Sequence, residues 1–65
     1  MDLIVNGEAK RASAQSVRAL LVELAYEGSF FAVAVNQTIV PRRDWDARVL
    51  KDGDKIEIVS PRQGG

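Results

Sequence analysis

Apolar and polar positions alternate at the start of the chain, with Met1, Leu3 and Val5 on one parity and Asp2 and Ile4 on the other. Period-two spacing of this kind predicts a strand. Asn6-Gly7 follows at once, and the pair suits a type I′ hairpin because both central residues of that turn need positive φ. Glu8 to Ala12 is then the return strand, polar enough to stand at a sheet edge. Beyond Ser16 the period changes. Val17, Leu20, Leu21, Leu24 and Ala25 recur at i, i+3, i+4, i+7 and i+8, which gives a helix one apolar stripe. Ser16 is the expected N-cap, although alanine at position 19 leaves out the reciprocal acid of a capping box. Gly28 stands where a left-handed glycine would end the helix.

Phe30 to Val35 is apolar throughout, with Phe31, Val33 and Val35 on one parity and the smaller Ala32 and Ala34 on the other. A central strand with its bulky side toward the helix fits this pattern. Asn36-Gln37 reads as a turn, and Thr38 to Val40 as a short strand stopped by Pro41. Arg42 to Arg48 is polar apart from Trp45 and Ala47, so a turn or single helical turn pinned by the indole is expected. Asp52-Gly53-Asp54 is another tight turn. Lys55 to Ser60 is the last strand, with Ile56 and Ile58 inward and Glu57 outward.

One helix cannot cover two sheets, so these elements predict a single mixed sheet of four or five strands wrapped over it. If the first and last strands pair in parallel at the centre, with the helix inside a right-handed crossover, the α+β fold is a β-grasp, the ubiquitin architecture. Residues 1–60 form that domain. Pro61-Arg62-Gln63-Gly64-Gly65 neither continues a ladder nor packs a core, so residues 61–65 are expected to be a flexible tail.

Composition narrows the chemistry. The chain has 65 residues, 46% hydrophobic and 28% charged, which suits one soluble globular domain. It contains no cysteine and no histidine, so disulfides, thiol nucleophiles, zinc knuckles and imidazole acid–base catalysis are excluded within these residues. Nine basic residues balance nine acidic ones, without the clustered positive surplus that duplex nucleic acid requires. The longest uncharged run, Gly28 to Pro41, is too short and polar to span a bilayer. No signal peptide is evident at Met1 to Val5, so the expected compartment is the cytoplasm.

The hydroxyls of Ser13, Ser16, Ser29, Ser60, Thr38 and Tyr26 have no histidine to activate them. Lys10, Lys51 and Lys55 lie in polar, charge-rich stretches that offer no burial to activate an amine. Asp44 with Asp46, or Asp52 with Asp54, offers too few oxygens for a calcium loop. Arg42-Arg43 reads as a phosphate contact or a solvated turn, and Trp45 as a core lid or a binding platform. On the sheet face away from the helix, alternation turns Ile4, Ala32, Ala34 and Val59 outward, a weakly charged apolar patch that is either a docking surface or ordinary exposed aliphatics.

The tail remains. At average glycine usage, two glycines in the last two positions arise by chance in about 0.5% of chains. They belong either to a frayed terminus or to a reactive end whose α-carboxylate attacks the α-phosphate of ATP. That carboxylate is ionised at neutral pH, and glycines would let the tail lie in a partner's narrow channel. Five extended residues reach at most about 17 Å.

Several segments together resemble one family: the hairpin opening, Val33-Ala34-Val35-Asn36-Gln37, Ile39-Val40-Pro41-Arg42 followed by Trp45, Asp52-Gly53-Asp54-Lys55-Ile56, and terminal Gly64-Gly65. The chain is similar along its whole length to the ThiS family, the sulfur carriers of thiamine biosynthesis. The resemblance implies that Gly65 is adenylated by an ATP-dependent activating enzyme and converted to a thiocarboxylate with sulfur from a persulfide protein. It further implies that this sulfur goes to thiazole synthase, and that Arg62, Gln63 and Gly64 enter the partner's channel. The carrier would bind no cofactor and would be a co-substrate rather than an enzyme. Two alternatives share the fold and tail: the small subunit of molybdopterin synthase, and a non-catalytic ubiquitin-like interaction or conjugation domain.

Overall fold

Two asparagine turns shape the sheet. In the computed structural model, which describes residues 1–26 and 31–60, Asn6 and Gly7 take φ values of 51° and 83°. They join strand β1 (Asp2–Val5) to β2 (Glu8–Arg11). Asn36 and Gln37, at 52° and 71°, do the same between β3 (Ala32–Val35) and β4 (Thr38–Val40). The Asn6 side-chain oxygen accepts from Ile58 N–H at 2.8 Å, and that of Asn36 accepts from Lys55 N–H at 3.0 Å. Each turn is thereby tied to β5 (Lys55–Val59), the central strand. The order is β2-β1-β5-β3-β4, with β1 and β5 parallel and the other neighbours antiparallel. The expected β-grasp is the observed fold.

Helix α1 (Val17–Glu23) is capped as expected, Ser16 Oγ accepting from Ala19 N–H at 3.1 Å. It buries Val17, Leu20 and Leu21 against Leu3, Val5, Val33, Val35, Ile56 and Ile58 on one face of the sheet. Its end departs from the sequence reading. The helix stops at Glu23, and Ala25, expected on the apolar stripe, is exposed at φ 66°. Ala25 N–H bonds Val22 O at 3.0 Å and Tyr26 N–H bonds Leu21 O at 2.9 Å. This pair of bonds is a Schellman motif with alanine in the left-handed position. Gly28, expected there, lies outside the described residues, as does Phe30 of the expected third strand. The stop has a side-chain cause: Tyr26 packs on the core and meets Phe31 with ring centroids 5.5 Å apart.

An alanine held left-handed is strained by roughly 1–2 kcal/mol, part of which glycine gives back as unfolded-chain entropy. Ala25→Gly is therefore expected to stabilise the domain by about 0.5–1 kcal/mol, a rise in Tm of several degrees for a chain of this size. A thermal midpoint that stays level or falls would contradict the assigned strain.

Trp45 is the largest fully buried side chain, at 1% exposure. It follows a 3-10 turn at Arg42–Asp44 and donates its indole N–H to Val40 O at 2.9 Å. The indole pins this turn, as the sequence suggested.

Candidate functional site

The sheet register decides which outward residues meet. Ala32 pairs with Val59, Ala34 with both Glu57 and Ile39, and Ile4 with Lys55. Val59 is 61% exposed, and Ala32 is exposed beside it. Ala34 departs from expectation: it faces outward yet keeps only 9% exposure, since strands lie on both sides of it. Ile4 is half-buried and stands beyond Lys55 and Glu57, so it is cut off from the other three residues. The apolar zone is thus smaller than expected and lies at the end of β5. Ile39, 66% exposed and paired to Ala34, completes it. Sequence reasoning passed over Ile39, although Val40 facing the core already turns its neighbour outward.

Ser60 is the last described residue. Arg62, Gln63, Gly64 and Gly65 lie outside the described residues. The chain nevertheless leads toward them from the end of β5, beside Ala32 and Val59.

The other candidate residues are occupied by structural tasks. Ser16 caps α1. Glu23 reaches from the helix to the loop before it, its Oε1 accepting from Ser13 N–H at 3.2 Å, Ser13 Oγ–H at 3.2 Å and Ala14 N–H at 3.0 Å. Asp54 is buried at 9% exposure and ties two turns together: Asn36 Nδ2 donates to one oxygen at 3.0 Å and Lys51 N–H to the other at 2.9 Å. Burial pushes the Asp54 carboxyl up, but the hydrogen bonds from Asn36 and Lys51 and the positive charges of Arg48 and Lys51 outweigh it, holding the group below its ordinary 3.8.

A pH dependence follows. Between the lowered folded pKa and the ordinary unfolded one, the unfolded chain binds more protons, so stability there rises with pH. The Asp54 contribution is complete above about pH 4 and is lost as pH falls through the folded value. Denaturant unfolding at a series of acid pH values should give a flatter curve for Asp54→Asn than for the parent, and identical slopes would refute the assignment.

An open groove of about 310 Å³ between the first hairpin and the end of α1 is lined by Val5, Asn6, Glu8, Lys10, Leu24 and Tyr26. Among the described residues no three Asp, Glu, His or Cys side chains come together to hold a metal ion, and no helix is long and apolar enough to cross a membrane.

A parallel central strand pair in a mixed five-stranded sheet, with one helix packed on one face, defines a ubiquitin-like β-grasp protein. The ThiS family model matches residues 3–65. The chain is 36% identical over 66 residues to the sulfur carrier protein ThiS of Escherichia coli, covering all of both chains. The crystal structure of the thiamine biosynthesis protein ThiS from Geobacter metallireducens superposes with a TM-score of 0.85, at 30% identity and with both chains fully covered. A thiazole synthase of Paramagnetospirillum magneticum is 42% identical over 66 residues. That alignment covers all of this chain but 20% of the synthase, so this chain spans one fifth of that relative's length. The chain belongs to the ThiS family of sulfur carrier proteins of thiamine biosynthesis.

Proposed function

We propose that the chain carries sulfur as a thiocarboxylate on Gly65 and donates it to thiazole synthase. The observation that carries this reading is the family match running through residue 65, and hence through Gly64-Gly65. The chemistry assigns the work. A carboxylate oxygen is a poor leaving group, so the activating enzyme first joins the Gly65 carboxylate to the α-phosphate of ATP, releasing pyrophosphate. A persulfide on a partner attacks the acyl carbon and AMP departs, leaving an acyl disulfide. A second thiol reduces that disulfide by two electrons, freeing the thiocarboxylate and forming a disulfide between the partner's sulfurs. This chain has neither cysteine nor histidine, so its own part is to present the tail on a recognisable globule. It binds no cofactor itself and acts in the cytoplasm. The region of a thiazole synthase that is similar to this chain supports that enzyme as the sulfur acceptor: joining two modules in one chain raises their effective concentration.

The test is intact-mass analysis after incubation with the activating enzyme, ATP, a persulfide source and a thiol reductant. The mass should rise by one oxygen-to-sulfur exchange, located on the C-terminal fragment. An unchanged mass, with an activating enzyme that works on its own carrier, would reject the reading in favour of an interaction domain.

A further inference from the structure

Arg42 and Arg43 have no task in the chemistry above. Strand β4 pairs antiparallel with β3, and β3 with β5. The end of β4, the start of β3 and the end of β5 therefore meet at one end of the sheet. The two arginines follow Pro41 at this end, the same end from which Ser60 leads into residues 61–65. Both are exposed. Among the described residues neither has an ion pair; Lys10, Arg11 and Arg18 each have a carboxylate partner, while Arg48, Lys51 and Lys55 also have none but stand elsewhere in the chain.

The turn that carries them is held at three points. Asp44 N–H donates to Pro41 O at 2.8 Å, Trp45 N–H to Arg42 O at 3.1 Å and the indole N–H to Val40 O at 2.9 Å. Trp45 itself is stacked on Phe31, with centroids 5.4 Å apart. An arginine on such a support presents its planar donor fork from a fixed base, which favours pairing with carboxylates. Among the described residues the acids near this end are Asp44, beside the pair, and Glu57 on the outer face, while Asp46 is occupied by Arg18. Asp2, Asp52 and Asp54 gather at the opposite end, where Asp52 accepts from Asp2 N–H at 2.7 Å. A chain with balanced charge overall thus turns a basic pair and an apolar zone toward the root of its tail.

We propose that Arg42 and Arg43, flanking the exposed Ala32, Ile39 and Val59, are recognised by an acidic rim on the activating enzyme around the mouth of the channel that takes residues 61–65. The inference rests on the sulfur-carrier reading. Apolar residues beside two guanidiniums suit a protein surface with an apolar floor and a carboxylate edge.

The test measures the carrier concentration that gives half-maximal thiocarboxylate formation, by intact mass, over a range of salt. R42E/R43E should raise that concentration at least about tenfold, since like charges then face each other across the interface. R42Q/R43Q, which adds no acid beside Asp44, should give a smaller rise. R11E, on the far edge strand, should change it little. The parent's requirement should climb with salt more steeply than that of either double variant. Unfolding midpoints should match the parent for R42Q/R43Q, which keeps the comparison valid if R42E/R43E folds poorly. An unchanged carrier requirement in both double variants overturns the proposal. So does a rise confined to the ATP requirement, which would mean that the arginines touch the nucleotide. Failure of the parent chain to acquire sulfur rejects the carrier reading itself, whereas a working parent with indifferent variants rejects only the arginine surface.

Discussion

Trp45→Ala is expected to cost about 3–5 kcal/mol, the largest loss from any single substitution in this domain. At roughly 0.05–0.15 kcal/mol per residue, a chain of this length has about 3–10 kcal/mol in total. The variant should therefore be largely unfolded or close to it. Three contacts go at once. The indole is 1% exposed, lies parallel to Phe31 with ring planes 4° apart, and has the Arg18 guanidinium 5.2 Å from its centroid. Its N–H also donates to Val40 O at the end of β4. Trp45→Phe separates these effects. It retains most of the ring volume but loses the indole's bond to Val40 O, at a cost of about 0.5–1.5 kcal/mol. Urea unfolding followed by circular dichroism measures both variants, since Trp45 is the only tryptophan and its fluorescence goes with it. An alanine variant within about 1 kcal/mol of the parent would mean that the indole is not the keystone of this corner.

The features legible in the sequence were those that neighbouring residues decide. Asn6-Gly7 specified its turn because the pair tolerates positive φ. Ser16 specified the helix start because its hydroxyl reaches an amide three residues on. Trp45 stood out as the one large apolar residue in a polar stretch. The end of α1 was not legible, because Gly28 is the better local stop and tertiary packing of Tyr26 against the core and Phe31 prevails. Glu23 reads as a solvated helix acid until the fold brings Ser13 and Ala14 to it. Asp54 reads as a turn residue until Asn36 arrives from another hairpin. The outward face shows the same division. Parity along each strand was correct, but cross-strand register decided that Lys55 stands next to Ile4 and Ile39 next to Ala34. Register is set between segments distant in sequence, so the apolar zone could be listed by residue but not drawn as a patch. The basic pair likewise gained its meaning only from the strand order, which carries Arg42 and Arg43 to the tail's end of the sheet.

Removing Gly65, or adding one residue after it, is expected to abolish activation while leaving the unfolding midpoint where it was. Neither change touches a core residue, and substitutions away from buried features usually stay within about 0.5 kcal/mol. Activation is far less tolerant. Each extended residue advances the chain by about 3.3–3.6 Å, as much as the whole separation of about 3–3.5 Å at which two groups are poised to react. On the sulfur-carrier reading, one residue fewer would leave the carboxylate short of the α-phosphate and one more would carry it past. A displacement of even about 1 Å can cost roughly a hundredfold in rate, so a full residue should bring acyl-adenylate formation below detection. Pyrophosphate release and the oxygen-to-sulfur mass gain report the two steps separately. Gly65→Ala probes the channel rather than the length: it keeps the carboxylate in register but adds a Cβ, and a loss there would assign the glycine to close approach. Activation persisting in both length variants would mean that the terminal carboxylate is not the atom that carries sulfur.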